Sequence, residues 1–252
     1  MNNRLTQLSA QKSLLPFLTC GDPDLAATDA FVCEAVKNGA NGILLGIPFS
    51  DPTAEGPLVQ AANLRALRGG VTTDQVLECA AALRQKVSVP LLYMTYANVI
   101  FSYGAERFLA ACAEIGMDGL IVPDLPFEEK EEFLPYCQQY GVPLISMLAP
   151  TSQQRIGKIA AAAEGFLYFT CGSNPPSIEA LTESIRQIRT VTDLPCLLGY
   201  SGEDPAMFHA LSAIADGVIA ETALMHRMAQ QDCTAAAVGE CIRSIASAAA
   251  EG

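Results

Sequence analysis

Positive charge is scarce in this chain: 15 Lys and Arg stand against 27 Asp and Glu, for a formal net charge of −12. Binding to a phosphate backbone or an anionic bilayer draws its energy from Lys and Arg, so nucleic acid and membrane partners are discounted. No run of about 18 apolar residues is present to span a bilayer, and the opening MNNRLTQLSAQK has no apolar stretch of the kind a signal peptide needs. A cytoplasmic protein is therefore expected. Histidine is nearly absent too. His209 and His226 stand in helical patterns with no Glu-x-x-His or His-x-x-x-His neighbourhood, so packing or surface roles are expected for both. The nine cysteines (Cys20, Cys33, Cys79, Cys112, Cys137, Cys171, Cys196, Cys233 and Cys241) are scattered singly without a Cys-x-x-Cys pair. No metal site or structural disulfide is expected, and the thiols read as reduced, mostly buried small apolar residues.

What is present is apolar material. The composition is 50% hydrophobic and 17% charged, enough to build a large core and too little charge for a disordered segment. Short apolar runs recur: LLPFL at 14–18, GILLGIP at 42–48, VPLLYMTY at 89–96 and GLIVPDLP at 119–126. VPLISMLAP at 142–150, GFLYFT at 165–170, LPCLLGY at 194–200 and DGVIAET at 216–222 complete the series. Their apolar character is nearly continuous rather than alternating, which suits strands buried on both faces of a parallel sheet.

Helical patterns lie between the runs, at Ala26–Asn38, Thr73–Lys86, Glu106–Glu114, Glu128–Tyr140, Gln153–Ala162 and Ile178–Thr190, with an Ala-rich segment from Thr234 to Ala250 closing the chain. Gly39 and Gly116 follow two of them, where glycine can take the left-handed cap. Eight strand-helix units of about 31 residues each fit an α/β fold of the (β/α)8 TIM-barrel type, with an open doubly wound sheet as the alternative. No Pro/Ser-rich linker or composition shift breaks the chain, so one domain over residues 1–252 is expected. Barrel enzymes carry their chemistry just after each strand. That rule directs attention to Asp22, Ser50–Pro57, Asn98, Asp124, Thr151–Ser152, Cys171–Pro176, Ser201–Pro205 and Glu221–Thr222.

Four phrases carry a resemblance: PFLTCGDPD at 16–24, LGIPFSDPTAEGPLVQAANLRAL at 45–67, MTYANVIFSYGAERF at 94–108 and GLIVPDLPFEEKEE at 119–132. In this order they resemble the tryptophan synthase α chain, over roughly Leu14 to Met225. The resemblance implies a TIM barrel that cleaves indole-3-glycerol phosphate by retro-aldol chemistry to indole and glyceraldehyde 3-phosphate, without a cofactor, beside a pyridoxal-phosphate-dependent β subunit. It also implies an acid/base carboxylate on strand two, a second carboxylate in the following loop, and a phosphate cradle after strands seven and eight. Phe17, Leu58, Val59 and Tyr96 match the indole pocket, Tyr168 matches a tyrosine near the reacting end, and Asp124 matches an acid that couples the two subunits. Residues of these types also simply fill barrel ends, and acids in such turns also cap helices or fix loops.

The sequence departs from the family where the chemistry is concentrated. The strand-two Glu-Leu-Gly reads Leu44-Leu45-Gly46, and Leu44 cannot transfer a proton. The loop Asp is Glu55, which keeps the charge, and with Tyr168 it is the remaining catalytic candidate. The Gly/Thr-rich lid after strand six has shortened to CGSNPPSIEAL, with Pro175-Pro176 restricting what remains. After strand seven the family's Gly-Phe-Gly-Ile-Ser becomes Gly199-Tyr200-Ser201-Gly202-Glu203, and after strand eight Val-Gly-Ser-Ala becomes Ala220-Glu221-Thr222-Ala223. Ser201, Gly202, Glu221 and Thr222 thus mark a degraded phosphate site. Glu221 is expected to act as a built-in anion that repels phosphate and takes the amide donors that would have held it. Three readings follow: an α chain with strongly impaired activity resting on Glu55 and Tyr168, a non-catalytic partner or regulator of a β subunit, and a barrel redirected to another small ligand.

Overall fold

A computed structural model describes residues 3–9, 12–230 and 233–250. Residues 1, 2, 10 and 11, on which part of the signal-peptide reading rests, lie outside the described residues. Each apolar run supplies one strand: β1 Ser13–Thr19, β2 Ile43–Gly46, β3 Leu91–Met94, β4 Gly119–Ile121, β5 Ser146–Leu148, β6 Leu167–Thr170, β7 Cys196–Tyr200 and β8 Gly217–Ala220. All pair in parallel, in the order β4-β3-β2-β1-β8-β7-β6-β5. A parallel bridge between Leu120 and Leu144 joins the two ends, with Leu120 N–H donating to the Pro143 carbonyl (2.9 Å) and Ile145 N–H to the Leu120 carbonyl (2.8 Å). The sheet therefore closes into a (β/α)8 barrel, and the open doubly wound alternative is excluded.

The continuous apolar runs divide between two cores, as a sheet covered on both faces requires. Leu15, Phe17, Leu44, Leu92, Met94, Ile121, Tyr168, Leu197 and Ile219 fill the barrel interior. Their neighbours Leu14, Leu18, Ile43, Leu45, Leu91, Tyr93, Leu120, Leu167, Phe169, Leu198 and Val218 pack outward under the helices. Register places Phe17 opposite Leu44 and Leu44 opposite Leu92, so one inner layer of this wall consists wholly of hydrocarbon.

Helix ends obey local chemistry. Asp24 caps the helix Leu25–Lys37 by accepting from Ala27 N–H, Thr72 and Gln75 form a capping box for Thr73–Arg84, and Ser177 caps Ile178–Arg189. Gly116 ends Ala105–Ile115 at φ +82°, the left-handed cap that its position predicts. Two expected helices differ from their sequence pattern. Glu128–Tyr140 is a 3₁₀ stretch Phe127–Glu132 followed by an α-helix Leu134–Tyr140, because Pro135 lacks an N–H and is tolerated only in the first turn of a helix. Gln153–Ala162 likewise divides into the 3₁₀ turn Pro150–Arg155 and the helix Ile156–Ala161. Among the described residues no helix is long and apolar enough to cross a membrane. All nine cysteines carry free thiols, five of them buried.

Candidate active site

The carboxyl ends of the strands open on a cavity of about 590 Å³ lined by Phe17, Ala54, Glu55, Leu58, Val59, Met94, Pro123, Met147, Tyr168, Thr170, Gly172, Ser173, Ser201, Glu221, Thr222 and His226, among others. The fold thus brings together most of the residues singled out in the sequence. Tyr96 lines an adjoining recess with Phe17, Glu55, Val59, Met94 and Thr95. Leu44 is fully buried in the inner layer below. Gly202 lies beside the Tyr200 ring, so that any side chain there would run into it. Asp124 is exposed and accepts a hydrogen bond from Ala97 N–H (2.9 Å) at the start of the helix Ala97–Tyr103.

The loop after β2 is held from three sides. Tyr96 stacks on Phe49 at 5.1 Å between ring centroids and its hydroxyl accepts from Ala54 N–H (3.0 Å), while Asn63 accepts from Phe49 N–H (2.8 Å). Asp22, wholly buried, takes a two-pronged bond from Arg65 (2.7 Å on each oxygen), tying the β1 loop to the helix Pro57–Arg68. Asp22 is accordingly a loop clamp, and the capping role at that turn belongs to Asp24. So positioned, Glu55 is partly withdrawn from water. Burial, assisted by the charge of Glu221, pushes its carboxyl up to about 7.

Glu221 stands at the end of β8, its N–H donating to the Tyr200 carbonyl (3.1 Å), and turns its carboxylate into the barrel. One oxygen accepts from the Tyr168 hydroxyl (2.5 Å) and the Thr170 hydroxyl (3.0 Å), and the other from the Ser201 hydroxyl. Gly199 makes room for it: a side chain on Gly199 would occupy the place of the carboxylate oxygen. The sequence pointed to an anion here but expected its donors to be backbone amides. Side-chain hydroxyls from β6 and the β7 loop supply them instead, because the glutamate reaches inward across the barrel and not back over its own turn. The Tyr168 phenol is raised well above its ordinary range by burial and then by Glu221.

Sequence reasoning passed over Met94, Met147, Thr170 and His226. Thr170 is the last residue of β6 and could have been found by the strand-end rule; the two methionines read as ordinary core. His226, expected in a packing or surface role, lines the cavity mouth and pairs with Glu203 (3.5 Å). Among the described residues no Lys or Arg forms an ion pair with Glu55 or Glu221.

The family model for the tryptophan synthase alpha chain matches residues 5–249. The alpha chain of Alkaliphilus metalliredigens is 40% identical over 235 residues, covering 90% of this chain and 88% of its own, and that of Lacticaseibacillus casei is 37% identical over 225 residues, covering 87% and 85%. The crystal structure of the alpha subunit from Legionella pneumophila superposes with a TM-score of 0.88 at 34% identity, covering 98% of this chain and 97% of that one. Tryptophan synthase from Mycobacterium tuberculosis gives 0.89 at 27% identity, over 99% of each chain. Sequence and three-dimensional shape agree over nearly the whole length, and the chain belongs to the tryptophan synthase alpha chain family.

Proposed function

We propose that this barrel is an alpha-chain homologue in which cleavage of indole-3-glycerol phosphate is lost or strongly impaired, and that it serves as a non-catalytic member of its family. The observation that carries this reading is the carboxylate of Glu221, fixed by three hydroxyls at the strand-seven and strand-eight end where the resemblance places the phosphate. At an effective dielectric near 20, like charges about 4 Å apart repel by roughly 4 kcal/mol per unit of charge, and among the described residues no Lys or Arg lines the cavity beside Glu221 to offset this, while the imidazole of His226 faces Glu203. A phosphate dianion entering that end therefore meets a barrier the family does not impose.

The proton inventory points the same way. Retro-aldol cleavage needs a base to take a proton and an acid to return one at the departing carbon. Leu44 supplies neither. Glu55, with its carboxyl near 7, is suited to either role around neutral pH. Tyr168 is occupied, since its hydroxyl already donates to Glu221. One carrier remains for two transfers.

A second reading, docking on a β subunit, is favoured by Asp124, which the Ala97 N–H holds in place on the barrel's functional face. The cytosol is the compartment proposed for either role, supported by the nine free thiols. The test is indole release from indole-3-glycerol phosphate, alone and with a β subunit. No turnover is expected, and appreciable turnover in either case overturns the proposal. Titration against the β subunit separates the readings: a change in β activity supports partnership, and its absence removes it.

A further inference from the structure

We propose that the cavity binds a small organic cation, an apolar body carrying a protonated amine, with the amine seated against Glu221 on the Glu55 side. The inference rests on the reading that this end of the barrel has given up phosphate, and it names what replaced it.

The first observation is electrostatic. Two carboxylates, Glu55 and Glu221, face one cavity and sense each other, and neither has a Lys or Arg partner among the described residues. His226, the cavity's one basic side chain among the described residues, is drawn aside by Glu203. Carboxylates withdrawn from water without a counter-charge are costly, and a cationic ligand supplies that charge. Tyr168, Thr170 and Ser201 spend their donors on two oxygens of Glu221, which fixes the direction of the carboxylate. A carboxylate held in place by hydroxyls binds an ammonium without the ordering cost of a free side chain.

The second observation is independent of charge. The hydroxyl of Thr222, a residue 7% exposed that lines the cavity, is buried without a hydrogen-bond partner, and so is that of Thr95, 1% exposed, in the adjoining recess. Buried hydroxyls in native proteins are nearly always bonded, so two unpaired ones in residues that line the cavity and its recess leave donors just behind the wall that a side-chain rotation would turn toward a ligand. The opposite wall is hydrocarbon and sulfur, from Phe17, Val59, Met94 and Met147, and suits the body of the ligand. The volume of about 590 Å³ lies within the range of small-molecule sites.

The test is calorimetric titration of the full chain with naphthylethylamine, naphthylethanol and naphthylpropionate, three probes of one body and different head charge. The amine is expected to bind at least about tenfold more tightly than the alcohol, as a charge-assisted bond to a carboxylate predicts, and the propionate most weakly. In Glu221→Gln the amine and the alcohol should become equal within about twofold; Glu55→Gln, which removes no hydrogen bond to the hydroxyl cluster, should shrink the amine preference by less. Thermal melts of both variants establish that they are folded, and if Glu221→Gln does not fold, Glu55→Gln carries the test by itself. Binding of none of the probes, equal or stronger binding of the propionate, or an amine preference that Glu221→Gln leaves intact each overturns the proposal. Indole release measured on the same preparation keeps the two readings apart. Turnover together with an amine preference defeats the proposed loss of activity alone, and an absence of both defeats only the cation site.

Discussion

Two walls of one barrel differ sharply in their chemistry. On the β1–β3 side, where the family keeps a proton-carrying carboxylate, Leu44 lies between Phe17 and Leu92 in a layer of hydrocarbon. On the β6–β8 side, where the family leaves bare backbone for an anion, Glu221 projects a carboxylate that hydroxyls from two neighbouring strand ends hold in place. Each substitution is supported by its surroundings: Leu44 by apolar neighbours, Glu221 by three donors and by the space over Gly199. The comparison teaches that charge at these two walls can depart from what the resemblance implies while the fold stays intact.

The strongest way to break the comparison is to restore the carboxylate on the apolar wall. Leu44→Glu places an ionisable group among Phe17, Leu92 and Leu15, and should lower stability by about 2–5 kcal/mol. A carboxyl there has a folded pKa above its unfolded value of about 4.3, so the native state holds the proton longer and the loss grows as pH rises. Denaturant titrations at pH 5 and pH 8 check both magnitude and sign. The same variant should not release indole, and recovery of ordinary cleavage would show that the phosphate end was never the obstacle.

The opposite wall is tested by Glu221→Ala. Removing the anion while leaving Tyr168, Thr170 and Ser201 as donors should improve binding of inorganic phosphate about tenfold or more, or roughly 1.4 kcal/mol, read by titration at low salt. An unchanged affinity would sever Glu221 from any role in excluding phosphate.

Between the walls stands Glu55, whose raised carboxyl gives a stability signature of its own. Its folded value of about 7 lies above the ordinary 4.5, so between these pH values the unfolded chain releases a proton that the native chain retains. Stability should therefore fall by about 1–3 kcal/mol from pH 4.5 to pH 7.5 on account of this group. Glu55→Gln should flatten that slope relative to the parent, and a parallel pair of stability–pH curves would contradict the assignment. The smallest effect is expected from Ser201→Ala, which removes one of three donors to Glu221 and should cost about 1 kcal/mol in thermal or denaturant stability.

Much of this was legible in the residues. Eight apolar runs without alternation pointed to strands covered on both faces; seven of them contain their strand whole, and β1 extends one residue beyond its run at each end. The change at Leu44 is read from the resemblance, by setting Leu44-Leu45-Gly46 beside the family's Glu-Leu-Gly, and Glu221 is marked both by that comparison and by its place just after a strand. The helix break at Pro135 was less legible, because periodicity continues across a proline that the backbone cannot follow in the same helix, and the break between Arg155 and Ile156 carries no sequence signal of its own. Hidden altogether were the contacts that join distant strand ends: the hydroxyls around Glu221 come from residues 20 to 53 positions away.

The order of the chain by itself determined a parallel α/β fold of eight strand-helix units, the strand ends near which its side chains gather, and which of them can carry a proton or a charge. Burial pattern and residue type are local properties and suffice for that. Only the closed barrel decided that Glu221 binds hydroxyls and not amides, that Glu55 is lifted toward neutrality, and that Asp22 clamps Arg65. These are properties of distance and dielectric, and they do not exist until remote segments meet.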